Sequence, residues 1–204
     1  MLSKKGMLWV TLLLAGVTVI ALGPLTGFDR MGLLWLRDSQ TTQLIGPRWF
    51  AITARDVTAL GSNWILVFGV LGVCTALIVA KKLRQSSALA IMALGGIVFS
   101  MGAKYLFVRP RPDLVESLIH TYTPSFPSGH AMMSMVCFVG AALVCSSGTS
   151  NKALRFVLVV FALLSSILVG ISRIVLGVHW PTDVLAGWLL GWLWISLVMQ
   201  GFKL

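Results

Sequence analysis

Residues 156–172 read FVLVVFALLSSILVGIS, without a charged side chain, and are bounded by Lys152 and Arg155 on one side and Arg173 on the other. A helix needs about 17 to 25 mainly apolar residues to cross a bilayer, and this stretch is of that kind. Reading outward, the other charge-free intervals are Gly6 to Phe28, Val57 to Ala80, Gln85 to Ala103, Ser117 to Asn151 and Val184 to Phe202. The Ser117 to Asn151 interval opens with a polar, proline-containing part unsuited to lipid, so its span is confined to about Ala131 to Cys145. The chain is therefore expected to be an all-α, polytopic membrane protein with six transmembrane helices, its 204 residues forming a single integral-membrane domain.

Composition agrees with that class. Of the residues, 57% are hydrophobic and 11% charged, and mean hydropathy is +0.92. A net charge of +10 would suggest nucleic acid on a soluble protein, but here the charges stand between apolar runs. Nucleic-acid binding is excluded on that ground. The connection from about Pro24 to Ser62 carries Trp35, Trp49 and Phe50 among Arg and Asp residues, and reads either as an interfacial amphipathic helix segment or as a linker around the bundle. Lys4 and Lys5 before the first apolar run, with Ala21-Leu22-Gly23 after it, resemble a signal peptide, but Pro24 just after the cut disfavours cleavage. Cys74, Cys137 and Cys145 all lie in apolar runs and form neither a disulfide framework nor a metal site.

Orientation follows from the charges. Lys4, Lys5, Lys81, Lys82, Arg84, Lys152, Arg155 and Lys203 fall on the side of the termini, mostly in very short connections and without any acid. Short loops rich in Lys and Arg stay inside, which puts both termini in the cytoplasm. All six acids, Asp29, Asp38, Asp56, Asp113, Glu116 and Asp183, then lie outside.

Three segments bring chemistry to that outer face. Lys104 to Pro112 closes the third span, where cations can complement a helix C-terminus or snorkel to the interface. Pro127-Ser128-Gly129-His130 opens the fourth, where Ser is an ordinary N-cap but free backbone N–H groups also make an anion site. Ser172 to Asp183 joins the last two spans: Pro181 suits a first helical turn, with His179 just before it and Asp183 inside it. The four-residue spacing can bring the Asp183 carboxylate to the His179 imidazole. Two histidines and three cations at one end of the bundle are hard to explain as packing alone.

Lys104 followed by Arg111-Pro112, then Pro127-Ser128-Gly129-His130, then Ser172-Arg173 followed by His179 and Asp183, resembles in order and spacing the three-part signature of the type 2 phosphatidic acid phosphatase superfamily. Thr58-Ala-Leu-Gly-Ser62 is also similar to that family. Arg109-Pro110 duplicates Arg111-Pro112, but only Arg111 has the family spacing from Lys104. The resemblance implies a metal-independent phosphatase that works through a phosphohistidine and needs no cofactor.

Under that resemblance the catalytic residues are His179, His130 and Asp183. His179 attacks phosphorus, Asp183 holds its other ring nitrogen, and His130 protonates the leaving oxygen and then activates water. Lys104, Arg111, Ser128, Gly129 and Arg173 bind the phosphoryl oxygens. Three cations balance a phosphate monoester of about −1.5 to −2 charge. No acidic cluster suited to magnesium stands near the motifs. Arg109, Asp113, Glu116, His120 and Tyr122 are expected at the entrance, reading the headgroup or merely solvating the loop.

The expected substrate is a lipid phosphate or diphosphate: phosphatidylglycerol phosphate, undecaprenyl pyrophosphate, phosphatidate or a lipid A phosphate. The setting is a bacterial inner membrane with the site facing outward or the periplasm, and no obligate protein partner is inferred. Two alternatives remain at this point. A lipid phosphotransferase could use the same residues, whereas a transporter fits poorly because these spans carry no midplane charge.

Overall fold

The computed structural model describes residues 15–19 and 27–204. Residues 15–19 are helical. The other helices are α1 (Gly27–Leu34), α2 (Arg48–Ala59), α3 (Asn63–Val79), α4 (Leu83–Phe107), α5 (Gly129–Ser146), α6 (Lys152–Val175) and α7 (Pro181–Phe202). The middle of α5, Met135–Val139, is wound as a wider π turn. No strand occurs among the described residues; Arg37 and Leu44 form one isolated bridge in the α1–α2 connection.

Helices α4 to α7 are each long and apolar enough to cross a membrane, and α2 with α3 counts as a fifth if the pair, bent by 44°, is one span. The sequence suggests an unbroken span from Val57 to Ala80. Instead the helix stops at Ala59, the chain turns through Leu60 to Ser62, and α3 restarts at Asn63. Gly61 sits at this break, where a Cβ would lie 2.5 Å from Val169 Cγ1 and 3.2 Å from His130 Cδ2. The expected first span, Gly6 to Phe28, lies outside the described residues apart from 15–19 and its last two positions. Gly27 and Phe28 belong to the short helix α1 instead.

The long Pro24 to Ser62 connection is more than a wrapping linker. Trp35, in the turn just after α1, and Trp49, on α2, are exposed, as interfacial anchors are, while Asp29, Leu33, Ala54 and Thr58 face inward. Leu33 packs with Val115 and Trp180, and Ala54 with Val175, Leu176 and Val178. Both helices thus brace the end of the bundle where α6 passes into α7.

Helix α5 is central. Two thirds of it (67%) is buried, against 22% of the 18-residue apolar stretch of α6, which faces outward along most of its length. Met92, Val136, Val139 and Ile195 are fully or nearly fully buried where α4, α5 and α7 meet. The α5–α7 contact is close because α7 turns Gly187 and Gly191 toward α5. A Cβ at Gly187 would lie 2.8 Å from the Ser128 carbonyl oxygen, and one at Gly191 would lie 2.9 Å from that of Met132. Small residues spaced four apart let helix backbones touch in this way within a membrane. The result fixes the start of α5 beside the start of α7.

Gly187→Ala should therefore separate the two backbones at a cost of about 1–3 kcal/mol, typical of overpacking. In detergent we expect it to melt several degrees below the parent. Gly72→Ala on α3, whose new methyl meets nothing within 4 Å, should not. Equal melting temperatures for the two variants would contradict the close-packed α5–α7 interface.

Candidate active site

The site forms where the C-terminal ends of α4 and α6 meet the N-terminal ends of α5 and α7. Each junction has a local cause. Helix α4 ends because Val108 takes a left-handed conformation, φ +42°, which is strained for a β-branched residue and turns Arg109 and Arg111 across the bundle end. Helix α6 ends in a Schellman motif: the N–H of Gly177 donates to the Ile174 carbonyl and that of Val178 to the Arg173 carbonyl. Gly177, at φ +72°, supplies the left-handed residue. Two residues later comes His179. Helix α7 then starts with Pro181 in its first turn, and the Asp183 carboxylate accepts the Trp180 N–H at 3.0 Å.

A cavity of about 320 Å³ opens between these ends. Lys104, Arg111, Gly129, His130, Arg173 and His179 all line it. The two remaining residues singled out from sequence lie just behind. Asp183 is fully buried with its Oδ2 3.5 Å from His179 Nδ1. Ser128 stands at the N-cap of α5, yet its side chain makes no capping bond, and its buried Oγ has no hydrogen-bond partner. The ordinary N-cap reading of this serine is thus overturned.

The cations divide into two kinds. Arg109, at 6% exposure, is ion-paired to Asp29 at 2.9 Å and to Asp183 at 2.6 Å. Lys104, Arg111 and Arg173 have no carboxylate within ion-pair distance among the described residues, although Lys104 and Arg173 are 6% and 3% exposed. Neutral oxygens steady them instead. Lys104 Nζ donates to the Pro124 carbonyl at 2.7 Å. Arg111 donates to the Thr123 and Val178 carbonyls at 2.8 and 2.6 Å, and comes within 3.4 Å of His179 Nε2. Arg173 donates to the Thr58 hydroxyl at 2.9 Å, and its Nε has no partner. Burying a cation without a counter-charge costs several kcal/mol, so such a cluster suits an anion.

His179 sits among these charges, 2% exposed. Burial pushes its imidazole down from 6.5 to about 3; Asp183 pulls the other way, and Arg173 and Arg111 reinforce burial. Burial also lowers the Arg111 guanidinium from its ordinary value, with Asp183 opposing. The Asp183 carboxylate is held on both oxygens: the Ser125 hydroxyl and the Trp180 N–H donate to Oδ2, and Arg109 donates to Oδ1. Among the described residues, His179 is the partner of the Asp183 carboxylate that lines the cavity.

Several contributors were not legible from sequence. Ser125 donates to Asp183 and lies 3.4 Å from His179 Nδ1. Thr58 orients Arg173 and Gly61 gives room to the His130 ring, contacts that the family likeness of Thr58 to Ser62 marks in the sequence without showing what they touch. Arg109 is not at the entrance as expected: it is locked behind Asp183. Asp113, Glu116 and His120 are exposed in the loop, and Tyr122, 97% exposed, stands at the rim of the cavity.

Below 6.5 an imidazole in an unfolded chain takes up a proton that folded His179 refuses until about pH 3. Stability should therefore fall as pH drops through that interval. In ¹⁵N NMR of histidine-labelled protein, His179 should remain neutral at pH 5. A doubly protonated imidazolium there would contradict the buried, neutral base.

Residues 85–203 match the profile of the PAP2 superfamily. A 166-residue stretch is 30% identical to phosphatidylglycerophosphatase B of Bacillus subtilis and covers 80% of each protein. A 132-residue stretch is 33% identical to an undecaprenyl-diphosphatase of Sulfolobus acidocaldarius, covering 62% of this chain and 59% of that protein's length. Among solved structures, a transmembrane PAP2-type phosphatidylglycerolphosphate phosphatase from Bacillus subtilis superposes with a TM-score of 0.80 at 24% identity, over 95% of this chain and 94% of that one. Aquifex aeolicus LpxE superposes with a TM-score of 0.62, also at 24% identity, over 82% and 92%. The two superpositions speak to fold, and the profile and sequence matches to descent: the chain belongs to the PAP2 superfamily and is a multi-pass membrane phosphatase of that family.

Proposed function

We propose that this protein hydrolyses a lipid phosphate or diphosphate, without a metal, through a phosphohistidine on His179. The observation that carries the reading is the set of three cations, Lys104, Arg111 and Arg173, converging on one cavity with two histidines and no carboxylate counter-charge among the described residues. A phosphoryl group supplies the charge that this set lacks. The unpartnered Ser128 hydroxyl and Arg173 Nε fit the same ligand as further donors.

In the first step the lone pair on His179 Nε2 forms a bond to phosphorus while the bond from phosphorus to the leaving oxygen breaks. The leaving oxygen keeps that bonding pair and takes a proton from His130. Asp183 holds Nδ1–H, so that Nε2 carries the lone pair, and balances the positive imidazolium formed by phosphorylation. In the second step water attacks phosphorus, passes a proton to His130, and the N–P bond breaks to return neutral His179. The three cations hold the charge spread over the phosphoryl oxygens in both steps, worth about 10²–10³ in rate for each well-placed donor.

An apolar groove supports a lipid as the carrier of the phosphate. It runs between α3, α4 and α5, encloses about 210 Å³, is lined by residues such as Leu66, Val70 and Leu94, and shares Asn63, Ile97 and Met133 with the catalytic cavity. A headgroup in the cavity could keep a tail in that groove. Named relatives act on phosphatidylglycerophosphate or undecaprenyl diphosphate, and either substrate suits the arrangement. The charge pattern supports a site on the outer face of the membrane with cytoplasmic termini.

Purified protein should release inorganic phosphate from at least one of phosphatidylglycerol phosphate, undecaprenyl pyrophosphate, phosphatidate and lipid A phosphate in excess EDTA. His179→Ala should reduce release to background while remaining folded. Turnover by that variant, or an absolute need for added magnesium, would overturn the mechanism.

A further inference from the structure

Arg109 poses a problem of charge. Its guanidinium contacts the carboxylate that is supposed to serve His179, and a cation 2.6 Å from Asp183 Oδ1 would by itself offset the negative charge the imidazole needs. The structure supplies a second carboxylate. Asp29, in the first turn of α1, is fully buried and accepts from Arg109 Nη2 at 2.9 Å. It also accepts the Thr182 N–H at 2.9 Å and the Thr182 hydroxyl at 2.8 Å. Arg109 Nη1 in turn bridges the Thr182 and Asp183 oxygens at 2.8 and 2.6 Å.

The formal charges of the chain Asp29, Arg109, Asp183 are −1, +1 and −1, which sum to −1. Remove Asp29 and the remaining pair is neutral. We infer that Asp29 is a positioning residue for the reaction: by neutralising Arg109 it leaves Asp183 its full charge for the His179 imidazolium and anchors the first turn of α7 that carries Asp183. A helix outside the core of the bundle thereby sets the strength of the nucleophile without touching substrate. The inference rests on His179 being the nucleophile held by Asp183.

The geometry alone would also fit a passive brace, so the test separates charge from scaffold. Asp29→Asn keeps an acceptor for Thr182 but lets Arg109 act on Asp183 uncompensated. We expect kcat, and the rate at which ³²P-labelled lipid phosphate labels the protein, to fall by about 10- to 100-fold, as when an outer partner of a ligating imidazole is lost. KM should change less than threefold, because the lost interaction belongs to the transition state. Asp29→Asn combined with Arg109→Met restores −1 at Asp183 and should recover at least tenfold of the loss. A brace predicts the opposite, a double variant no faster than the single one.

Wild-type kcat in Asp29→Asn, a loss carried by KM, or a folded double variant without recovery would each overturn the inference. If Asp29→Asn alone does not fold, the double variant is compared with the parent: kcat within tenfold is expected, and a folded but inactive protein contradicts it. Absence of acid-labile label in the parent would instead bring down the phosphohistidine reading itself.

Discussion

The arrangement depends on how four cations at one end of the bundle, Arg109, Lys104 and Arg173 buried and Arg111 half-buried, are compensated. Arg109 is given two carboxylates, and Lys104, Arg111 and Arg173 are given none among the described residues. Such a division is costly in a low-dielectric interior unless an anion completes it. The protein meets the cost in two ways. Backbone carbonyls of the 109–128 loop and the Thr58 hydroxyl solvate the three cations. The packing that positions them lies elsewhere, in the buried contacts of α5 with α4 and α7.

Those contacts explain why the site sits at the bundle end. Gly187 and Gly191 bring α7 onto the start of α5, so the Ser128 N–H can reach the Asp183 carbonyl at 3.0 Å. The Schellman turn at Gly177 and the Pro181 start of α7 fold the chain between Arg173 and Asp183 back into a tight corner, with His179 held in it. Helices α1 and α2 close the arrangement from outside: Asp29 reaches Arg109 and Thr182, while Arg37 and Arg55 grip the Val175 and Leu118 carbonyls. An element that looks peripheral in the chain is thus wired into the charge balance around Asp183 and His179.

The sequence was most legible where chemistry is local. Lys104 with Arg111, Ser128 to His130, and Arg173 with His179 and Asp183 each lie in one short segment, so their spacing could be read directly, and six of the eight line one cavity. The apolar runs likewise announced α4 to α7. Single polar residues whose partners are far along the chain were silent. Asp29 meets Thr182 across 153 positions, Thr58 meets Arg173 across 115, and Ser125 meets Asp183 across 58. In sequence Asp29 and Ser125 look like solvated loop or helix residues, and Thr58 stands out only through the likeness of residues 58–62 to the family. Arg109 was misplaced at the entrance because a cation next to a matching Arg-Pro pair reads as its duplicate; burial and two ion pairs distinguish it. The break at Leu60 to Ser62 was hidden inside an apolar run, since hydropathy does not register a close approach to His130.

The most direct test of the three-cation cradle is a structure of the protein with orthovanadate, which adopts the five-coordinate geometry of a phosphoryl group in transfer. The account predicts vanadium bonded to His179 Nε2, with its equatorial oxygens within hydrogen-bond distance of Lys104, Arg111 and Arg173. Vanadate bound elsewhere, or bound in the cavity through His130 with those three side chains turned away, would contradict it.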